Sequence, residues 1–315
     1  MPPPRLVRFL VRRAAAALLL VFLAASAAFL LARIAPGDHL PAEMDPAQAA
    51  AERRRLGLDR PLHVQYAAWL GGLARLDLGP SLRFPGRSVS ALIAERAGNS
   101  TLIGAAALVL SSALGLGLGV FTATRRRGLL ARTARGGSLL MLSTPPIVLS
   151  LALVTLASRT GWFPVGGLPD RAAGLDGLRY LVLPVLALAL PMAAVIERLQ
   201  SRALSDALTD PSILAARARG VPRARLVWRH ALRLSLRPVL SVYGIIIGSL
   251  ISGSFVVEYV MTWPGLGRLM YDALVYRDTN LVAGCAAAGA AFLAAGIFLS
   301  DIALASVDPR AGEAE

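Results

Sequence analysis

The chain has no lysine, for all 33 of its basic residues are arginine. A phosphate-cradling P-loop needs a lysine to reach the β and γ phosphates, so this chain carries none. Cysteine is almost as scarce. The single Cys285 provides no intramolecular disulfide, CxxC pair or cysteine-rich metal site, and reads as a small buried residue. The three histidines, His39, His63 and His230, fall outside the apolar runs and form no HExxH or other ligand-spaced cluster. No base therefore stands beside a serine within those runs, which excludes an intramembrane serine protease. Acids are also absent from the runs. An ion-coupled carrier or proton pump needs ionisable groups at membrane depth, whereas Glu197, Glu258 and Asp301 are expected only at span ends. The isoelectric point near 11.4 does not indicate nucleic acid, because no basic groove with stacking aromatics or recognition motif accompanies it.

What the chain has in abundance is apolar length. Of 315 residues 56% are hydrophobic, and the mean hydropathy is +0.60, too apolar for a soluble globular domain. Six runs lack any charged residue: Ala14–Ala32, Asn99–Thr124, Gly136–Ser158, Tyr180–Ile196, Pro238–Val257 and Thr279–Ser300. Each approaches or exceeds the roughly 20 residues a helix needs to cross the hydrocarbon. In lipid only helices and closed barrels satisfy their backbone groups, and a barrel would show short alternating segments. The pattern predicts an all-α polytopic membrane protein with six transmembrane helices. The first run follows Arg12-Arg13 and contains Ala24-Ala25-Ser26-Ala27-Ala28, as a secretory signal would. At 19 residues it exceeds the roughly 7–15 of a signal core, so an uncleaved first helix is expected.

Arginine sets the expected orientation. Arg5, Arg8, Arg12 and Arg13 precede the first run, and Arg125, Arg126, Arg127, Arg132 and Arg135 follow the second. Nine arginines between Arg198 and Arg237 face only Glu197, Asp206 and Asp210. These three segments carry a net +15 against +14 for the whole chain, so they and both termini are expected in the cytoplasm.

Residues 34–98 then form an external segment with helix signals of its own. Asp45 can cap a helix with Pro46 at its first position and Gly57 as its stop. A second helix over Pro61–Arg75 would place Leu62, Tyr66, Leu70 and Leu73 on one face. Pro145-Pro146 interrupts the third run, and Pro184 and Pro191 the fourth, where kinks are expected. Gly115 and Gly119, like Gly244 and Gly248, have the GxxxG spacing that lets another helix approach, in this chain or in a partner.

The most informative stretch is the arginine-rich segment from Asp210 to Pro238. Asp210 fits an N-cap, Pro211 the first helical position and Gly220 a left-handed stop, which outlines a helix over Ser212–Arg219. So short a helix is marginal alone and is expected to bury Ile213, Leu214 and Ala216 on a partner. Pro222 can start a longer amphipathic helix in which Arg225, Arg229, Arg233 and Arg237 recur every four residues beside Leu226, Trp228, Leu232 and Leu236. It is expected at the bilayer surface, with its arginines reaching lipid phosphates. On composition alone this loop could equally be a mere positive-inside anchor.

Leu214-Ala215-Ala216-Arg217-Ala218-Arg219-Gly220, with the Arg-His-Ala-Leu-Arg run that ends at Pro238, resembles the EAA loop of bacterial ABC importer permeases of the dipeptide and oligopeptide branch. Leu214 stands where the general pattern has glutamate, and the Gly220 to Pro238 distance is that of the peptide branch. Further pieces resemble that branch in the same order: Ile34–Asp38, Leu56–Pro61, Gln65-Tyr66, Leu76–Gly79, Trp263-Pro264-Gly265-Leu266-Gly267, Val275–Asp278 and Asp308–Arg310. The resemblance implies a cytoplasmic N-terminus and first helix over 1–33, an external segment over 34–98, a five-helix importer core over 99–308 with its EAA-like loop at 210–238, and a cytoplasmic tail over 309–315. It implies a multi-pass permease of the bacterial inner membrane. Its expected partners are a second homologous permease, two ABC ATPases and an external solute-binding protein. ATP and Mg²⁺ would bind in the ATPases, with no cofactor in this chain. Ile213, Leu214, Ala215, Ala216, Arg217, Arg219 and Gly220 would couple to the ATPases. The branch handles peptides, nickel chelates and some sugars, and no side chain here selects among them. The alternative from another class is a membrane scaffold or sensor that recruits a soluble partner through the same loop.

Overall fold

A computed structural model describes residues 3–35, 45–125, 128–168 and 177–307. Among the described residues the regular structure is helical, with irregular connections and one isolated bridge between Pro80 and Ser88. Five helices are long and apolar enough to span a membrane: α1 (Pro3–Ile34), α4 (Val89–Thr124), α7 (Leu178–Ala207), α11 (Tyr243–Val260) and α13 (Thr279–Val307). The third apolar run is a broken pair, α5 (Leu129–Ser143) and α6 (Pro146–Thr160), bent by 108°, so the span number is five or six. Proline causes the break. The residue before a proline is pushed out of the helical region, and Thr144 and Pro145 adopt ψ of 114° and 145°. Pro184 and Pro191 have a milder effect, for α7 runs unbroken through both while buried by its neighbours.

Several boundaries differ from the apolar runs. The α7 helix continues to Ala207, so Glu197 lies within it and is 2% exposed rather than at a span end. Pro238 belongs to α10 (Leu232–Leu240), and the apolar span starts afresh at Tyr243 after a turn. The amphipathic packing of α10 on α7 outweighs hydropathy there, with Ser235 and Val239 buried. Asp301 lies inside α13, 3.2 Å from Arg13 of α1.

The chain forms two compact units interleaved in sequence. One comprises Thr101–Trp263 with segments from both chain ends, and the other Ala16–Ser100 with Pro264–Ala294. In the first, α7 is the central helix, packed by α5, α6, α10 and α11. The Gly115/Gly119 pair explains how α4 reaches it: a Cβ at Gly115 would lie 2.6 Å from Ile196 Cβ, and one at Gly119 2.6 Å from Gln200 Cβ. This GxxxG is spent within the chain.

In the second unit α2 (Pro46–Arg55) starts after Asp45 as expected, though Asp45 makes no side-chain cap bond. Next, α3 (Leu62–Ala74) lays Trp69, with Tyr66, Leu70 and Leu73, against Ala25 and Phe29 of α1 and Ala283 and Ala287 of α13. Leu62, expected on that face, is 39% exposed. The Nε2 of Gln65 donates to the carbonyls of Leu58 and Arg60, which ties down the turn over 56–61.

Asp278 anchors this unit. It is fully buried and precedes α13, where Oδ1 accepts the Leu281 amide as an N-cap does. Its Oδ2 accepts Ser81 Oγ at 2.6 Å and the amides of Leu82 and Arg83 at 2.7 and 3.0 Å. Removing the carboxyl strands two buried donors, Ser81 Oγ and the Leu281 amide, at about 1–3 kcal/mol each, and two part-buried amides at less. Asp278→Ala should therefore open the 81–83 turn to protease in purified protein, with Asp278→Asn intermediate. Equal proteolysis of wild type and Asp278→Ala would show that the anchor is not needed.

Candidate functional site, a capped helix bolted to the membrane core

The short helix α8 (Pro211–Ala218) has both ends sealed. Asp210 is extended and its Oδ1 accepts the Ser212 amide at 2.8 Å, with Pro211 at the first helical position. The Ser212 hydroxyl also donates to Asp210. That bond first, and the amide second, hold the Asp210 carboxyl below its ordinary pKa. At the other end Gly220 N donates to Arg217 O and Val221 N to Ala216 O, the paired bonds of a Schellman cap, with Gly220 at φ +82°.

The structure divides the apolar residues of this helix. Ile213 and Ala216, expected to meet a partner, are 5% and 7% exposed and packed inside the chain. They join Val120 and Ala123 of α4, Leu204 of α7, and Leu226, Val227 and Ala231 further along the same loop. Burying an isoleucine is worth about 1.5–3 kcal/mol, enough to hold a two-turn helix that would not persist alone. Leu214 is 48% exposed, and Ala215, Arg217, Arg219 and Gly220 are exposed beside it. One face thus grips the ends of α4 and α7 while the other stays open.

The segment after Pro222 is helical but not uniform. Arg223–Arg225 forms a short α9, Leu226–Ala231 is a π-helix, and α10 follows. In a pure α-helix each four-residue step overshoots a full turn by roughly 40°, so a repeat of four drifts around the surface. The wider π turn takes more residues per revolution and turns the drift back. Arg225, Arg229, Arg233 and Arg237 are all exposed, while Leu226, Val227, Ala231, Ser235 and Val239 are buried. Trp228 is 63% exposed and Leu226 buried, so these two part company. Arginine also closes α4, whose last carbonyls have no helical partner. Arg135 donates to Thr122 O and Arg223 to Thr124 O, at 2.9 and 3.1 Å.

The Trp263–Gly267 motif forms a buried corner. Thr262 takes φ +51° so that Trp263 N can reach Glu258 O at 2.8 Å, and Trp263 is 1% exposed. Beyond it Asn99 Nδ2 donates to Pro264 O, and the Leu266 amide to Ser100 Oγ, both at 2.8 Å. The piece at 308–310 lies outside the described residues, and that at 34–38 largely so.

A polar layer on α7 escaped the sequence reading. Thr122 donates to Glu197, and Gln200 Nε2 to Ser235 Oγ at 2.8 Å, with all four residues at most 2% exposed. The spacing of 197 and 200 placed them on one helix face, but their partners lie 75 and 35 residues away.

These features define a polytopic helical membrane protein that presents one face of a rigidly capped helix outside its core. Residues 115–313 match the family described as binding-protein-dependent transport system inner membrane component, and residues 6–78 match the N-terminal membrane component family of the same systems. The chain is 32% identical to the oligopeptide transport system permease protein AppB of Bacillus subtilis, over 97% of its length and 99% of the relative's. It is 31% identical to the oligopeptide transport system permease protein OppB of Escherichia coli K12, and 30% identical to OppB of Salmonella typhimurium LT2, with the same coverage. The chain belongs to the binding-protein-dependent transport system inner membrane component family, and is a multi-pass transport permease of the bacterial inner membrane.

Proposed function

We propose that this chain is one permease subunit of an ATP-driven peptide importer. The observation that carries the reading is α8, sealed at both ends, buried on one face by α4 and α7 and open at Leu214 on the other. Partner ATPases, holding ATP and Mg²⁺, dock on that face. Their closure moves α8, and the helices bolted to it alternate access for the solute. A second homologous permease completes the pathway, and an external solute-binding protein delivers the cargo. The naming of AppB and OppB supports peptides as cargo. The arginine bias supports cytoplasmic loops around Arg135 and Arg217, cytoplasmic termini and an external 34–98 segment. The exposed Arg225, Arg229, Arg233 and Arg237 then face lipid phosphates.

Two measurements test this. Reporter fusions after Arg135 and Arg217 should read cytoplasmic, and those within 40–90 and after Gly267 external; an external signal at Arg217 overturns the topology. In proteoliposomes, peptide uptake should need the paired permeases, the ATPases, the binding protein and ATP together, while this chain alone turns over no ATP. Uptake without the ATPases, or hydrolysis by the isolated chain, would defeat the reading.

A further inference from the structure

A cavity of about 660 Å³ opens between α4, α5 and α7, near the ends of α4 and α7 that α8 grips. This is within the usual size of a small-molecule site, roughly 300–1,000 Å³. Its wall includes Thr122, Arg135, Glu197, Arg198, Ser201 and Arg202. On α7, Ser201 stands one turn beyond Glu197, and Arg202 one turn beyond Arg198, so an acid row and a guanidinium row run side by side.

Glu197 is 2% exposed, and among the described residues its side chain has one hydrogen-bond partner, the Thr122 hydroxyl, and no ion pair. Thr122 is itself 1% exposed and lies 3.0 Å from Ser201 Oγ. A carboxyl this buried in a membrane helix calls for a cation or for several donors. One hydroxyl is far short of that. Arg198 and Arg202 are exposed on the neighbouring row, and no carboxylate among the described residues lies within ion-pair reach of either. Arg135 is held against the carbonyls of Thr122 and Arg125 and adds positive potential. A plain anion entering here meets Glu197, and a plain cation meets the arginines. A molecule carrying both charges satisfies each row.

We propose that this cavity binds a zwitterion, with its primary ammonium at Glu197 and its phosphate or carboxylate at Arg198 and Arg202. Two sources offer that chemistry. One is the phosphoethanolamine headgroup of a bilayer lipid, and the other is the free termini of a short peptide in transit. The peptide source rests on the import reading above; the lipid source does not.

The test uses the assembled transporter, with both permeases and the ATPases, in nanodiscs of phosphatidylglycerol with or without phosphatidylethanolamine. Native mass spectrometry reads the lipid retained. Uptake of trialanine and of N-acetyl-trialanine into matched proteoliposomes, supplied with the binding protein, reads the peptide arm. Retention of phosphatidylethanolamine by wild type, falling about tenfold in both Glu197→Gln and the Arg198→Gln/Arg202→Gln pair, assigns the site to lipid; tenfold corresponds to about 1.4 kcal/mol. Without retention, a preference for free over acetylated peptide that collapses in the same variants assigns it to peptide. Unchanged retention and unchanged preference overturn the proposal. If Glu197→Gln fails to assemble, the exposed arginine pair decides alone, and wild-type behaviour in that pair overturns it. Failure of wild-type vesicles to import any peptide counts against the import reading and leaves the lipid measurement standing.

Discussion

Leu214→Asp is expected to strip the ATPases from the transporter while leaving the permease itself folded. Leu214 is 48% exposed on the open face of α8, so the free chain accommodates a carboxylate in water. In the complex the same group would be desolvated without a partner, a penalty of several kcal/mol. Each 1.4 kcal/mol is tenfold in affinity, so co-purified ATPase should fall by at least about tenfold. Ile213→Asp is the informative neighbour. Ile213 is 5% exposed and packed against Val120, Leu204 and Leu226, so a charge there should lower the yield and thermal stability of the permease itself. Undiminished ATPase recovery with Leu214→Asp would remove α8 as the docking element, and equal behaviour of the two variants would refute the two-faced helix.

Gly220→Val should abolish most uptake without blocking insertion. Gly220 sits at φ +82°, and nothing lies within 4 Å of the position a Cβ would take, so the effect is conformational rather than steric. A β-branched residue in the left-handed region costs on the order of 1–3 kcal/mol. Relaxing that strain breaks the Gly220 and Val221 bonds that end α8 and turns its open face. Transport should drop at least about tenfold with membrane levels near wild type. Gly220→Asn, which tolerates the left-handed region, should keep most activity. Normal uptake and normal ATPase stimulation in the valine variant would dismiss the cap as a coupling feature.

Some parts of this molecule were legible residue by residue. The Asp210-Pro211 start and the Gly220 stop of α8 appear where their side-chain chemistry puts them, because capping is a contest among neighbouring backbone groups. The Pro145-Pro146 break is local too. The residues of this helix were grouped as a set, but not divided into a buried and an open face. Periodicity shows that Ile213 and Leu214 are apolar; it does not show which of them the chain will cover.

Hydropathy, proline and capping residues by themselves determined that the chain is helical, that it has apolar stretches of spanning length, and where α8 begins and ends. The arginine pattern determined the expected orientation in the same way. Tertiary structure alone decided the seating of Gly115 and Gly119 on α7, the burial of Ile213 and Ala216, and the place of Asp278 under the 81–83 turn. It also carried Glu197 from an expected span end to the wall of a cavity beside Thr122, 75 residues earlier in the chain. The division has a physical cause. Backbone propensity and transfer to lipid act over a few consecutive residues, whereas packing and buried polar pairing depend on which distant side chain arrives opposite, and that partner exists only once the helices have assembled.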